Sequence, residues 1–108
     1  MMDEQVFKRS ADEALEAVSR ALFEPSEEHD FEVDYNAGNL SIEFEGPPAR
    51  FVISPNTPVR QIWISAQSRS FKLDWNGTTF ALTSTGESLS VLVGRLAGEQ
   101  LGVEPFRL

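Results

Sequence analysis

Residues 51–75 read FVISPNTPVRQIWISAQSRSFKLDW, and the alternation inside this stretch decides how the chain folds. Side chains alternate across a strand. If Ile62 and Ile64 face a core, then Gln61, Trp63 and Ser65 face the other way together. A large aromatic set among amide, hydroxyl and basic groups has the make-up of an interface centre. The residues alone leave two other placements open: Trp63 beneath a second layer of the same chain, or Ile62 and Ile64 as the outward pair.

Working outward, residues 71–75 and 79–83 read as strands joined through Asn76-Gly77, a strong turn signal. Ser88 is placed to cap a helix that runs to about Leu101 and ends at Gly102, burying Leu89, Leu92, Val93, Leu96 and Leu101. Gly94 and Gly98, four apart, point to close packing of that helix on the sheet. Upstream, Gly46-Pro47-Pro48 breaks the chain before a strand around 50–53, and a turn over 54–58 leads into a strand at 61–65. Phe31, Val33 and Tyr35 alternate with Glu32 and Asp34, and Leu40, Ile42 and Phe44 alternate with Ser41, Glu43 and Glu45. These two runs form a hairpin through residues 36–39. From residue 4 to about 23, Phe7, Ala11, Ala14, Leu15, Val18 and Leu22 mark one stripe of an amphipathic helix, with Pro25 as its stop. The order helix, six strands, helix predicts an α+β fold, in which two terminal helices pack on one face of a mainly antiparallel sheet of about six strands. One domain over residues 1–108 is expected of this two-layer sandwich.

Composition narrows the chemistry. Hydrophobic residues make up 41% of the 108, as in a globular chain. With no cysteine, disulfides, thiolate catalysis, cysteine zinc sites and clusters held by the chain's own thiolates are excluded. His29 stands alone, so histidine pairs cannot ligate a metal within one chain, and hard oxygen ligands remain. No GxSxG-like elbow accompanies a base, which argues against a nucleophilic enzyme. No run approaches the ~20 apolar residues of a membrane span, so a cytoplasmic, non-membrane protein is expected. A net charge of -8 disfavours nucleic acid and anionic membranes as partners. Cations and basic proteins fit better.

The charge is concentrated at one end. Residues 1–50 carry 13 carboxylates against four Lys or Arg, and residues 51–108 carry four against five. Lys8 with Asp12, Arg9 with Glu13, and Glu16 with Arg20 have the four-residue spacing of ordinary surface pairs, worth ~0.2–0.5 kcal/mol each. Glu24, Glu27, Glu28, Asp30, Glu32 and Asp34 have no Lys or Arg among them, and His29 offers a nitrogen donor beside them. With Ala37-Gly38 as central turn residues, Glu32 faces Glu43 and Asp30 faces Glu45. Like charges directly opposite cost of order 0.2–1 kcal/mol per pair. Either water and salt screen them, or a weakly bound cation lies between them.

The run Pro58, two residues, Gln61-Ile62-Trp63, followed by Asp74-Trp75, resembles the signature of the frataxin family in its bacterial form. The likeness extends over the whole chain, from acidic N-terminal helix to the helix after Gly86. It implies the same sandwich with the second sheet face exposed. It also implies an acidic ridge along the first helix and strand that binds iron weakly through carboxylates. Asp12, Glu13 and Glu16 of the helix, then Glu24, Glu28, Asp30, Glu32 and Asp34, and Glu43 across the hairpin, are the candidate ligands. Ser19, Arg20 and Phe23 stand where bacterial relatives commonly carry acids, and Lys8 where a histidine can occur, so the iron surface is expected nearer the hairpin and weaker. The resemblance further implies contact with the cysteine desulfurase and scaffold protein of iron–sulfur cluster assembly, through Trp63, Gln61, Arg60, Lys72 and Asn56. Ser54 replaces a frequent asparagine there, and Asn56 a frequent glutamine. A binding and regulatory role for a monomer is the leading expectation. The alternative is an iron store or ferroxidase working through iron-dependent self-assembly.

Overall fold

Asp3 starts the first helix by accepting a 2.8 Å hydrogen bond from the Val6 amide, which satisfies a donor with no partner inside the helix. In the computed structural model, which describes residues 2–108, this helix α1 spans Glu4–Ala21. Phe7, Ala11, Leu15, Val18 and Leu22 of the expected stripe are buried, while Ala14 is only partly covered. Pro25 does not end the helix. A short second helix, α2, spans Phe23–His29 and holds Pro25 in its first turn, where a missing amide hydrogen breaks no helical bond. Asp30 closes α2 in the left-handed conformation, with φ 54°. Of the three expected ion pairs on α1, Glu16–Arg20 forms. Lys8 instead turns back to Glu4 at 3.4 Å, the orientation with the acid nearer the helix start, and no ion pair joins Arg9 to Glu13 among the described residues.

Strands β1 (Phe31–Asn36), β2 (Asn39–Glu45), β3 (Pro48–Asn56), β4 (Gln61–Ala66), β5 (Arg69–Trp75) and β6 (Phe80–Ala81) follow one another across a single sheet, every neighbour antiparallel. Helix α3 spans Leu89–Leu101 between the Ser88 cap and Gly102, as its sequence predicts. Buried side chains of α1 and α3 meet the alternate residues Leu40, Ile42, Phe51, Ile53, Ile62, Ile64 and Leu73 in one core. This is the α+β sandwich that the element order predicts.

Three boundaries differ from expectation. The β1–β2 register does pair Glu32 with Glu43, but Asp30 lies in the α2 cap outside the ladder, and Glu45 pairs with Pro48. Strand β3 continues through Ser54 and Pro55 to Asn56. Pro55 is two residues past the last β2 partner, where one side of β3 has no ladder to complete. The turn is thereby reduced to a single 3-10 turn at Thr57–Val59, closed by Arg60 at φ 55°. Strand β6 shrinks to two residues because the amides of Thr78 and Thr79 both bind the Asn76 side chain at 2.9 Å, opening a wider loop.

Gly94 and Gly98 face the C-terminal tail, not the sheet. Residues 103–108 fold back along α3, with the Val103 amide donating to Gly98 O at 2.9 Å and the Phe106 amide to Gly94 O at 3.2 Å. A Cβ on Gly94 would come within 2.2 Å of the Phe106 carbonyl oxygen, and one on Gly98 within 2.8 Å of that of Glu104. The Phe106 ring then reaches His29 at 5.2 Å and Phe31 at 6.3 Å, tying the chain's end to the start of β1.

Gly94→Ala should destabilise the protein by ~1–3 kcal/mol in urea unfolding, because backbone cannot move aside as a side chain would. In a chain ending at residue 102 the same substitution should become neutral or stabilising, by up to ~1 kcal/mol, as alanine is the better helix former. A Gly94→Ala cost that survives the truncation would refute the packing role of the tail.

Candidate functional site

Because the helices cover one face of the sheet, every second strand residue points the other way. The registers arrange these outward residues in rows across the strands: Glu32–Glu43–Arg50, Ser54–Trp63–Lys72 and Asn56–Gln61–Asp74. Trp63 is therefore a surface group, 37% exposed, with Ile62 and Ile64 buried behind it. Its two alternative placements do not occur.

The ring is held rather than loose. Trp63 Nε1 donates to Gln61 Oε1 at 2.8 Å, and Gln61 Nε2 donates to Asp74 Oδ1 at 3.0 Å. An ionised carboxylate only accepts, so Asp74 sets which end of the Gln61 amide it receives and leaves the carbonyl for the indole. Lys72 Nζ sits 4.8 Å from the centre of the Trp63 ring, an exposed cation–π contact worth ~0.5–1 kcal/mol. A partner thus meets a fixed ring whose only hydrogen-bond donor is already used. Asp74 was not among the candidates, because spacing along the chain does not show that β4 and β5 bring it opposite Gln61.

Asn56, Gln61, Trp63 and Lys72 come together as expected, but Arg60 does not join them. It stands in the 3-10 turn, where its guanidinium donates to the carbonyls of Met2, at 3.4 Å, and of Thr57. There it lines a groove of about 1060 Å³ at the end of the sheet, with Met2, Val6, Val59 and Trp75.

The acids spread over an edge. Glu24 and Glu28 lie on α2, Asp30 at its cap, Glu32 and Asp34 on β1, and Glu43 on β2. Helix α1 joins them through Tyr35, whose hydroxyl donates to Asp12 O at 3.4 Å and lies 3.5 Å from Asp12 Oδ1. Burial, followed by the charges of Asp12 and Glu16, raises the Tyr35 phenol above its ordinary pKa. Glu13 is exposed on the same helix. Among the described residues no three acidic or histidine side chains converge as a metal-holding group, so this is a charged surface rather than a preformed cage. His29 packs edge-on against Phe106. The Glu32–Glu43 repulsion is partly answered by Arg50 of β3, whose Nε lies 3.8 Å from Glu43 Oε1. A two-strand reading of the hairpin could not have found it.

Comparison with known proteins places this geometry in a family context. The profile of the frataxin-like domain matches residues 1–103. The iron-sulfur cluster assembly protein CyaY of Azotobacter vinelandii is 31% identical over 96 residues, 85% of this chain and 86% of that protein. The CyaY protein of Pseudomonas syringae pv. syringae is 35% identical over 77 residues, 69% of each chain. The solved structure of frataxin from Psychromonas ingrahamii superposes with a TM-score of 0.78 over 99% of both chains at 20% identity, a likeness of fold.

Asp74→Ala should free the Gln61 amide to turn. The indole N–H resonance of Trp63 should then shift and its side-chain order parameter fall in NMR relaxation, while Asp74→Asn, which keeps an acceptor oxygen, should stay close to the parent. An unchanged indole signal in Asp74→Ala would show that the carboxylate does not position the ring.

Proposed function

This chain belongs to the frataxin-like family, and from that premise we propose that it is a binding protein of iron–sulfur cluster assembly that regulates a cysteine desulfurase–scaffold complex. The observation that carries this reading is Trp63, exposed on a helix-free sheet face and held in one orientation by Gln61, Asp74 and Lys72. Fixing an aromatic group before contact lowers the entropy lost on binding, which makes it an efficient anchor. Gln61, Lys72 and Asn56 form the polar surroundings of that anchor, and Arg60 acts from the adjoining turn. The ring offers apolar surface, so the fitting partner supplies a pocket or slot rather than a hydrogen-bond acceptor.

The acidic face carries the second half of the role. Asp12, Glu13, Glu16, Glu24, Glu28, Asp30, Glu32, Asp34 and Glu43 attract Fe²⁺ or Fe³⁺ and hold it weakly, through one or two carboxylates with water completing the coordination. Hard oxygen ligands on an open surface suit such binding and discriminate little among divalent cations. Iron is cargo in this reading, held on an open surface, and storage with iron oxidation through self-assembly is the alternative to it. Among the described residues no helix is long and apolar enough to cross a membrane.

Trp63→Ala should weaken binding to the desulfurase–scaffold complex by ~2 kcal/mol or more, about thirtyfold, in titration calorimetry. Unchanged affinity would reject the anchor. Under anaerobic NMR titration, Fe²⁺ should first move amides between residues 24 and 45. If those signals stay in place while others shift, the iron-binding half of the proposal fails.

A further inference from the structure

Strand β1 ends the sheet and has β2 as its single neighbour. Ala37 and Gly38 at the hairpin tip both have positive φ, 53° and 82°, which makes a two-residue type I′ turn. Asn36 and Asn39 are then the closing hydrogen-bonded pair, and Asp34–Ser41 and Glu32–Glu43 follow in the same class. The main-chain groups of the intervening Val33 and Tyr35 point away from β2. Among the described residues they meet no hydrogen-bond partner, and Tyr35 is engaged through its hydroxyl alone.

A concavity of about 640 Å³ lies along this open edge, walled by Ser19, Phe23 and Ser26 on the helix side and by Glu32, Asp34 and Glu43 on the other, where three carboxylates outnumber the one cation, Arg50. Phe23 is 63% exposed there, the most exposed large apolar side chain among the described residues. An open strand edge beside an uncovered aromatic is a template for another strand.

We propose that the β1 edge accepts an extended segment of a basic partner protein as a seventh strand, with Lys or Arg at alternate positions and apolar residues between them. Side chains of an added strand alternate between its two faces. Those on the outer face lie beside Glu32 and Asp34, within reach of Glu43, where cations are favoured. Those on the helix face point into the concavity toward Phe23, where apolar groups are favoured. The carboxylates also decide against the rival occupant. A second copy of this chain pairing through its own β1 would set Glu32 and Asp34 against acids, and like charges across a strand pair are destabilising. The edge therefore rejects its own kind and selects a basic strand. This inference goes beyond the weak iron binding proposed for the same acidic face and is independent of the Trp63 anchor.

The test uses the full chain, labelled with ¹⁵N, and a peptide of alternating Lys and Val. Its controls are a peptide of the same composition with Lys and Val in separate blocks, and two alternating peptides N-methylated at odd or at even residues. The alternating peptide should shift the Val33 and Tyr35 amides and slow their hydrogen exchange. It should bind about tenfold or more tightly than the block peptide and than one of the two N-methylated peptides, which loses main-chain hydrogen bonds to β1. Equal binding by all four peptides would reduce the contact to charge alone and overturn the proposal. Glu32 and Asp34 are both exposed, so the double substitution Glu32→Lys/Asp34→Lys should leave the fold intact and weaken the alternating peptide about tenfold or more. Unchanged binding by that variant would equally overturn it. Trp63→Ala should bind the alternating peptide as the parent does, so loss of desulfurase binding with peptide binding retained separates the two sites. A peptide that Trp63→Ala no longer binds lies on the sheet face, and the edge is then not its site.

Discussion

The sheet is buried on one side only. With α1 and α3 over one face, strand geometry sends every second side chain of five strands to the opposite face, and that face is where the chain carries its distinctive groups. Burying Ile62 and Ile64 requires Trp63 to be outside, and turning the buried Ile42 and half-buried Val33 toward the helices places Glu32 and Glu43 opposite one another on the other face. The exposed tryptophan and the facing carboxylates are thus consequences of the same packing decision. A one-residue slip of β4 would exchange the two sets and abolish both core and site.

The two halves of the outward surface use different physics. Around Trp63 the hydrogen bonds are directional and closed, ending on an acceptor-only carboxylate, so the arrangement favours one orientation of one ring. Along β1 and α2 the acids remain dispersed, and their effect is a field rather than a geometry. Such a field attracts cations and basic segments without choosing sharply among them, and salt weakens it. Arg50 moderates it at one point, and the exposed Glu43–Arg50 pair contributes at most ~1 kcal/mol, too little to neutralise the edge. The two regions thus differ in kind, directional order around Trp63 and dispersed charge along β1 and α2.

The C-terminal tail is drawn into the same frame. The tail packs on the glycine-lined side of α3 and places Phe106 against His29 and Phe31, where α2 passes into β1. That contact braces the start of the acidic edge from behind. Beside that tail, Arg95 of α3 binds Glu87 at 2.7 and 3.0 Å and Glu99 at 3.0 Å. The Arg95 hydrogen bond, ahead of any other influence, holds the Glu87 carboxyl below the usual carboxylate range. Its stabilising contribution is complete above the unfolded carboxylate pKa of ~4.3 and fades as pH falls through the lowered folded value.

Much of this was legible in the residues. The stripe through Phe7, Leu15 and Val18, the caps at Ser88 and Gly102, the Ala37-Gly38 turn and the outward Trp63 all follow from periods and turn preferences that act over a few neighbouring residues. Those local rules misjudged Pro25, because a proline stops one helix and starts another equally well, and they misjudged Asp30 for the same want of a longer view. What the tertiary structure alone decided are the meetings between distant segments: Asp74 behind Gln61, Arg50 beside Glu43, Phe106 over Gly94, Arg60 turned away toward Met2, and carboxylates that share a surface without converging. Spacing along a chain encodes which face a side chain takes, but the distance between two faces is set only when the strands and helices have packed.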